Sequence, residues 1–114
     1  TNDTWKNGAQ NHSEDEGSFE DRKANAIKAY YEWMPIRDKK EKVKTWRKFS
    51  VGNLIKLVML DTRLYGRDEQ LKIDSFVKNN FLDKEAYIKE LEKPRDLLGK
   101  EQLSWVKENI KKEM

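Results

Sequence analysis

The residues best placed to do chemistry in this sequence follow a short apolar run at 54–60. The run ends abruptly at Asp61, and Arg63 and Arg67 follow within a few positions. A run of this kind is typical of a buried strand whose end presents polar side chains at a sheet edge. In open α/β sheets ligands usually bind at the carboxyl ends of the strands, and arginine can form two parallel hydrogen bonds to a phosphate or a carboxylate. Asp61, Arg63 and Arg67 are therefore candidate ligand-positioning residues.

The same residues also have a purely structural interpretation. An ion pair between Asp61 and Arg63, or between Arg67 and Asp68, would fix the loop without contacting a ligand. We give this structural interpretation precedence, and the sequence leaves both open. His12 is the only histidine in the chain, so no His-based triad or His-cluster metal site can be assembled from these residues alone. We expect His12 to lie exposed in a loop, with approach to a substrate as the alternative.

Four sequence blocks occur together in a distinctive order. They are NDTW with GAQNH within 2–12, AYYEWMPIR at 29–37, MLDTRLYGRDEQL at 59–71 and RDLLGKEQLSW at 95–105. In this order and rough spacing they resemble blocks of the alkaline phosphatase D-like (PhoD-like) metallophosphatases, over residues 1 to about 110. The resemblance implies hydrolysis of phosphate mono- or diesters at a pair of metal ions, which bind the phosphate and lower the pKa of a bound water.

The resemblance also implies which parts of such an enzyme this chain lacks. The family carries a Trp-Asp-Asp-His-Glu metal motif upstream and a histidine-bearing motif downstream, and this sequence contains neither. The implied metals are calcium and iron, for which hard oxygen donors are suitable ligands. Asn2, next to the missing upstream motif, is the one candidate metal ligand, and its alternative role is to continue a polar turn. We therefore expect an internal segment that is inactive in isolation, is completed by the rest of the phosphatase chain, and comes from an extracytoplasmic parent.

Composition fits a segment whose core is completed elsewhere. The 114 residues are 36% hydrophobic and 39% charged, and an ordinary globular domain is about 25% charged. The aromatic content argues against disorder, and a small, very soluble, helix-rich domain is the alternative. The absence of cysteine excludes disulfides and Cys-rich zinc sites. No apolar run approaches the length of a membrane span, so we expect none.

Charge distribution suggests a competing function. The net charge is +3, residues 1–22 are mainly acidic, and residues 37–48 are mainly basic with Trp46 among them. The basic stretch could serve a non-catalytic module that contacts polyanions or a protein partner. The nearly balanced overall charge lacks the footprint of a nucleic-acid binder, so we expect no nucleic-acid partner. Self-association through exposed apolar helices is a third interpretation.

The predicted fold class is α/β for the parent and α+β for the isolated segment. It comprises a β-hairpin flanked by about three helices, excerpted from a metallophosphatase-type α/β sandwich. The whole of 1–114 forms one segment, with the following predicted elements: a loop at 1–17, a helix at 18–34, a hairpin at 44–61, mostly irregular structure at 62–82 and two helices at 83–112. Apolar residues at helical spacing predict that the core is formed by Ile27, Tyr30, Tyr31, Trp33 and Met34 in the first helix and by Leu103, Val106 and Ile110 in the last.

Overall fold

The computed structural model describes residues 3–37 and 43–111, the last of these by its backbone alone. Within these ranges it contains three α-helices and three separate antiparallel strand pairs. The predicted α+β class is therefore confirmed. In chain order the elements are β1 (Thr4–Trp5), β2 (Gly8–Ala9), α1 (Phe19–Trp33), β3 (Arg47–Val51), β4 (Ile55–Met59), β5 (Val77–Lys78), β6 (Phe81–Leu82), α2 (Lys84–Leu91) and α3 (Lys100–Lys111).

The first two helices begin and end at residues whose chemistry explains the boundary. The hydroxyl of Ser18 accepts a hydrogen bond from the backbone N–H of Asp21 at 3.5 Å and caps α1. Met34 leaves the helical region with ψ of 138°, because a following proline disfavours helical backbone. The carboxylate of Asp83 accepts from the N–H of Ala86 at 3.1 Å and caps α2. Both caps satisfy amides that would otherwise have no partner in the helix.

The hairpin formed by β3 and β4 is the longest strand pair in the described residues. Val51 lies opposite Ile55 and Arg47 opposite Met59, so a three-residue loop joins the strands. Gly52 in this loop has a φ of +54°, a left-handed conformation that glycine adopts at little cost. The strands occupy the inner part of the range 44–61 in which we expected a hairpin.

Two further strand pairs lie where the sequence indicated loop or irregular structure. The pair β1–β2 lies within 1–17 and the pair β5–β6 lies within 62–82. Asn79 and Asn80, with φ of 50° and 65°, form the turn between β5 and β6, as asparagine does in tight hairpin turns. Strands of two residues carry no alternation of apolar and polar positions, so the sequence pattern gives no signal for them.

The described chain is open rather than tightly packed. Its radius of gyration is 18.1 Å, whereas a compact chain of this length has about 13 Å. Its accessible surface is 9350 Å², whereas roughly 6,600 Å² is typical of a folded protein of this mass. Among the described residues the buried apolar side chains are Ala9, Ile27 and Trp46.

Several side chains that we placed in the core are exposed instead. Trp33 is 85%, Met34 49% and Tyr30 37% exposed, and Leu103 and Ile110 on α3 are 41% and 53% exposed. The expectation that these residues face the core was wrong for the described structure. Periodicity correctly identifies an apolar helix face, but it does not show what covers that face. Across the described ranges, no helix is both long and apolar enough to cross a bilayer.

Candidate functional site

Asp61 organises the loop that follows β4. One carboxylate oxygen accepts hydrogen bonds from the backbone N–H groups of Arg63 at 2.9 Å and Leu64 at 2.8 Å. The other oxygen accepts from the hydroxyl of Thr45 at 2.8 Å. The residue is only 8% exposed. Asp61 therefore fixes the loop through backbone amides and a threonine hydroxyl, and the expected ion pair with the Arg63 guanidinium is not what the structure shows.

Gln102 at the start of α3 holds the backbone of Asp61 from the other side. Its side-chain oxygen accepts from the N–H of Asp61 at 2.7 Å, and its side-chain nitrogen donates to the Asp61 carbonyl at 2.8 Å. The same nitrogen donates to the Leu98 carbonyl at 3.1 Å. Gln102 is fully buried, with 0% exposure. A buried side-chain amide with all these hydrogen bonds holds its surroundings in place. Breaking one bond would leave a buried polar group with neither a protein partner nor water, which costs free energy.

Two glycines allow the loop after β4 to approach the chain that leads into α3. A methyl group on Gly66 would lie 2.2 Å from the backbone of Leu98 and Gly99. Gly99 has a φ of +73°, and a methyl group there would lie 3.1 Å from the Cα of Gly66. The two backbones are therefore in direct contact where the loop crosses the chain at Gly66 and Gly99. Position 66 requires glycine because there is no room for a side chain.

Arg67 and Asp68 connect the same loop to the N-terminal strand pair. The Arg67 guanidinium contacts the Asp3 carboxylate at 2.8 Å and donates to the Thr4 carbonyl at 2.9 Å. The Asp68 carboxylate pairs with the Lys6 ammonium at 2.5 Å and accepts from the N–H of Asp96 at 2.8 Å. Arg67 is 8% exposed. These contacts give Arg67 a structural role, with Asp3 rather than the neighbouring Asp68 as its partner, and its role toward a ligand stays a prediction.

We call the assembly of residues 3–6, 61–68 and 96–102 the loop junction. Two of its carboxylates, Asp68 and Glu101, have lowered pKa values that reflect these contacts. The pKa of Asp68 lies below its ordinary value, chiefly because its carboxylate accepts from the Asp96 amide and secondly because of Lys6. The pKa of Glu101 is also lowered, by Lys44 first and by the Tyr65 hydroxyl second. The charged forms of both carboxylates are therefore stabilised by the folded structure.

The side chain of Arg63 differs from those of the other candidates. Its guanidinium has no hydrogen-bond or ion-pair partner within 3–37 and 43–111. Its backbone amide, in contrast, donates to the Asp61 carboxylate. The side chain is exposed and lies at the edge of an open cleft of about 400 Å³ between α1 and the loop. The cleft is mostly apolar, with Ile27, Tyr30, Leu60 and Leu64 among its lining residues. The arrangement combines a fixed backbone with an unpaired cation at a cavity.

His12 is more enclosed than we expected, since only 10% of its side chain is exposed. Its Nε2 lies 3.0 Å from the Gly17 carbonyl, and its Nδ1 lies 3.1 Å from the Arg22 guanidinium. The ring also packs edge-on against Phe19 at 5.4 Å. These contacts are satisfied when Nε2 carries the proton and donates to the carbonyl. His12 thus connects the 12–17 turn to α1 here, and its approach to a substrate stays a prediction.

Asn2, the candidate metal ligand, lies outside the described residues. Within the described ranges no three histidine, cysteine, aspartate or glutamate side chains come together in a way that could hold a metal ion. The neighbouring Asp3 is engaged by Arg67. The described residues therefore do not fit a complete metal centre.

The basic stretch at 37–48 is only partly described, because residues 38–42 lie outside the described ranges. Its described bases from residue 44 onward have protein partners: Lys44 pairs with Glu101, Arg47 donates to the Thr45 carbonyl at 3.2 Å, and Lys48 donates to Asn109 at 2.7 Å. Arg37 is exposed. The Lys44 and Lys48 contacts join the base of the hairpin to α3. The alternative function as a polyanion-binding module stays a prediction.

Sequence reasoning missed the residues that hold the loop junction together. Gln102 lies in a helix whose apolar stripe attracts attention, and its contact with Asp61 spans 41 positions in the sequence. Trp46 is buried and packs edge-on against Tyr65 at 4.4 Å, although its basic neighbours suggested an exposed platform. One signal in the sequence was available: these residues fall within two of the four distinctive blocks. Asp61, Gly66 and Arg67 lie in the block at 59–71, and Gly99 and Gln102 lie in the block at 95–105.

Comparison with known proteins identifies the class to which this chain belongs. The family model described as PhoD-like phosphatase matches residues 1–114. The chain therefore belongs to the PhoD-like phosphatase family, and the predicted resemblance is confirmed. It is 38% identical over 93 residues to alkaline phosphatase D of Bacillus subtilis (strain 168), an alignment that covers 78% of this chain and 15% of that protein. The chain thus spans a small part of the length of the curated relative that it matches. No solved structure matches the chain.

Proposed function

We propose that this chain is a segment of a metal-dependent phosphatase or phosphodiesterase, in which Arg63 contacts the phosphate ester substrate. The observation that carries this proposal is the unpaired Arg63 guanidinium, which lies at the cleft edge and has no partner among the described residues. Family membership supplies the substrate class. Arginine suits phosphate because its planar group of donors matches two phosphate oxygens at once.

The loop junction supports this role by fixing the backbone beneath Arg63. The Asp61 carboxylate holds the Arg63 amide, and Gln102 holds both the amide and the carbonyl of Asp61. A binding group mounted on an ordered backbone loses less conformational entropy when the ligand arrives. Asp61 thus positions Arg63, although it need not touch the substrate.

Metal chemistry is assigned to the parent enzyme rather than to this chain. The family resemblance implies calcium and iron there, with Asn2 as the one candidate ligand from this segment. Because the described residues do not fit a complete metal centre, we propose that the chain is inactive in isolation and that the rest of the phosphatase polypeptide completes the site. We also propose, on the resemblance, that the parent is extracytoplasmic.

The proposal is tested by replacing Arg63 in a complete enzyme. The carrier is B. subtilis alkaline phosphatase D in which this chain replaces the matching segment. We expect Arg63→Gln to lower kcat/KM for a chromogenic phosphate ester by about 10- to 100-fold, the range for losing a hydrogen bond to a charged group.

The matched control is Arg95→Gln, which makes the same change at an exposed arginine whose side chain donates to the Glu90 carbonyl away from the cleft. We expect this control to retain nearly full activity. Equal kcat/KM values for Arg63→Gln and the unsubstituted chimera would contradict the proposed role of Arg63. Metal-dependent hydrolysis by the isolated, pure chain would contradict its assignment as an inactive segment.

A further inference from the structure

The hairpin carries an apolar face that the described structure leaves about half exposed. The register places Phe49 opposite Leu57 and Val51 opposite Ile55, and on the same side it pairs Met59 with Arg47. We call the five apolar residues of this side the hairpin apolar face. Their exposed fractions are 44% for Phe49, 52% for Leu57, 64% for Val51, 59% for Ile55 and 47% for Met59. Side chains on one face of a sheet normally pack against a second layer. Helix α1 reaches this side at its Arg47 end, where the guanidinium donates to the Tyr31 hydroxyl at 3.5 Å, so the layer is incomplete.

Helix α3 lies on the opposite, more polar side of the same hairpin. Lys48, whose side chain points away from the apolar face, donates to Asn109 of α3 at 2.7 Å. Val58 on that side is half-buried, whereas its neighbours in β4 are exposed. The described contact between α3 and the hairpin therefore lies on the polar side, where Lys48, Ser50 and Lys56 remain exposed, and α3 does not supply the missing cover.

The hairpin also has open strand edges. In the described ranges β3 pairs with β4 and with no third strand. An isolated two-stranded hairpin is marginally stable in water, and it needs further strands or an apolar layer. Unpaired N–H and C=O groups along its edges favour pairing with another strand. A suitable occupant would therefore both cover the apolar face and extend the sheet.

The exposed area indicates how large that occupant is. An aromatic side chain buries roughly 150–250 Å² and aliphatic ones are smaller, so the five half-exposed residues present at most roughly 500 Å². A symmetric dimer through this face alone would bury less than the ~800 Å² per partner of a stable interface. The accessible surface of 9350 Å² is roughly 2,800 Å² more than that of a compact protein of this mass, so a larger covering surface fits better than a second copy.

We propose that the hairpin apolar face docks against an apolar sheet layer formed by the remaining polypeptide of a PhoD-like phosphatase. This inference rests on the proposed function, which makes the chain a segment of such an enzyme. The aligned segment amounts to 15% of the relative's length, so the remainder is large enough to supply both the layer and the neighbouring strands. The face is then an internal interface of the assembled enzyme.

The absence of native cysteine gives this chain a direct test by thiol labelling. Leu57→Cys places a thiol on the apolar face, and Ser50→Cys places a matched thiol on the opposite side of the same hairpin, at another exposed position. Each variant is treated with a small maleimide, first in the isolated chain and then in the chimera with B. subtilis alkaline phosphatase D. Mass spectrometry of the labelled peptide reports the rate at the chosen residue.

We expect both thiols to react readily in the isolated chain. In the chimera we expect Leu57→Cys to react at least about 10-fold more slowly, since a packed interface opens only rarely, and we expect less slowing at Ser50→Cys. An unchanged rate at Leu57→Cys in the chimera, or equal slowing at both positions, would overturn the proposal.

A second measurement does not depend on folding of the chimera. The labelling rate of Leu57→Cys is followed in the isolated chain as its concentration rises, with sedimentation measured in parallel. Rates independent of concentration support the proposal. Protection that grows as dimer forms assigns the face to a second copy of the chain and overturns the proposal.

The chimera also separates this proposal from the proposed function. A protected thiol in a chimera without hydrolytic activity would refute the proposed function and leave the docking surface intact.

Discussion

The loop junction and the hairpin are built by opposite means. The loop junction is polar and nearly closed: Asp61, Arg67 and Gln102 are buried, and their polar groups are paired with neighbouring backbone. The hairpin is apolar on one face and open, with Leu54 at its tip 93% exposed. A polar network is satisfied by a few local partners, whereas an apolar face needs an extended layer. The loop junction, beside the candidate site, is therefore the region whose stabilising contacts are made within this chain.

The largest effect that separates the two regions should come from their glycines. Gly66→Ala would place a methyl group 2.2 Å from the backbone of Leu98 and Gly99, so the crossing must separate. We expect the free energy of unfolding to fall by about 3 kcal/mol or more. Chemical denaturation followed by tryptophan fluorescence measures this change, because Trp46 packs against Tyr65 beside the crossing.

The control for that prediction is Gly52→Ala in the hairpin loop. A methyl group there meets nothing within 4 Å, and the strain comes only from the positive φ of +54°. The expected cost is about 1 kcal/mol. Equal losses at the two glycines would contradict the view that the crossing is the better-packed region.

The next effect tests whether Gln102 supports the loop. Gln102→Ala removes the partners of the Asp61 amide and carbonyl, which lie in a buried position. Unsatisfied buried groups cost about 1–3 kcal/mol each, so we expect a loss of about 2–4 kcal/mol. The neighbouring Leu103→Ala, at a residue 41% exposed, should cost less than about 1 kcal/mol. A larger loss at Leu103 than at Gln102 would indicate that α3 is held by its apolar stripe instead.

Local signals in the sequence were sufficient for part of this structure. Ser18 and Asp83 were identifiable as helix caps because a cap depends on residues three positions away, and the proline after Met34 ends α1 for a similarly local reason. The hairpin was predictable from a segment of strand-favouring residues at 45–50 and an apolar segment at 54–60, separated by a turn. Asp61 and Arg63 were selected for their position after a strand, and the structure brings them together at the cleft.

The remaining features depend on contacts between distant positions. Nothing local to Gln102 indicates that it pairs with Asp61, and nothing local to Gly66 indicates that Gly99 crosses it. The error over Trp33 and Ile110 has a different origin, because an apolar helix face states a requirement for burial but does not identify the partner. The exposed apolar positions are thus the ones for which sequence pattern and described structure disagree.

Acid should weaken the loop junction before it affects the hairpin. The pKa values of Asp68 and Glu101 are lowered from ordinary values of 3.8 and 4.5. A lowered carboxyl pKa gives stability that is present above the ordinary value and is lost as the pH falls through the lowered one. We therefore expect the unfolding temperature to decline as the pH is taken from about 6 to about 3.

Asp68→Asn is the variant that isolates this contribution. Because it removes one titrating carboxylate, its unfolding temperature should depend less steeply on pH over the same acid range. Glu108→Gln on the exposed side of α3 is the control, since it removes an acid of the same charge from outside the loop junction. The same steepness for Asp68→Asn and the unsubstituted chain would show that the pairing with Lys6 and Asp96 does not contribute.

The smallest change in the free energy of unfolding of the isolated chain should come from Leu57→Lys. A small change would indicate that the hairpin apolar face is not covered from within this chain. Leu57 is 52% exposed on the hairpin apolar face, so a lysine there stays largely in water. Surface substitutions of this kind change the free energy of unfolding by about 0.5 kcal/mol or less. In the chimera the same lysine would meet an apolar layer, where an unpaired charge is costly, and we expect a clear loss of folded enzyme. A large loss already in the isolated chain would show that the hairpin apolar face is covered from within, and the contrast between the two regions would then fail.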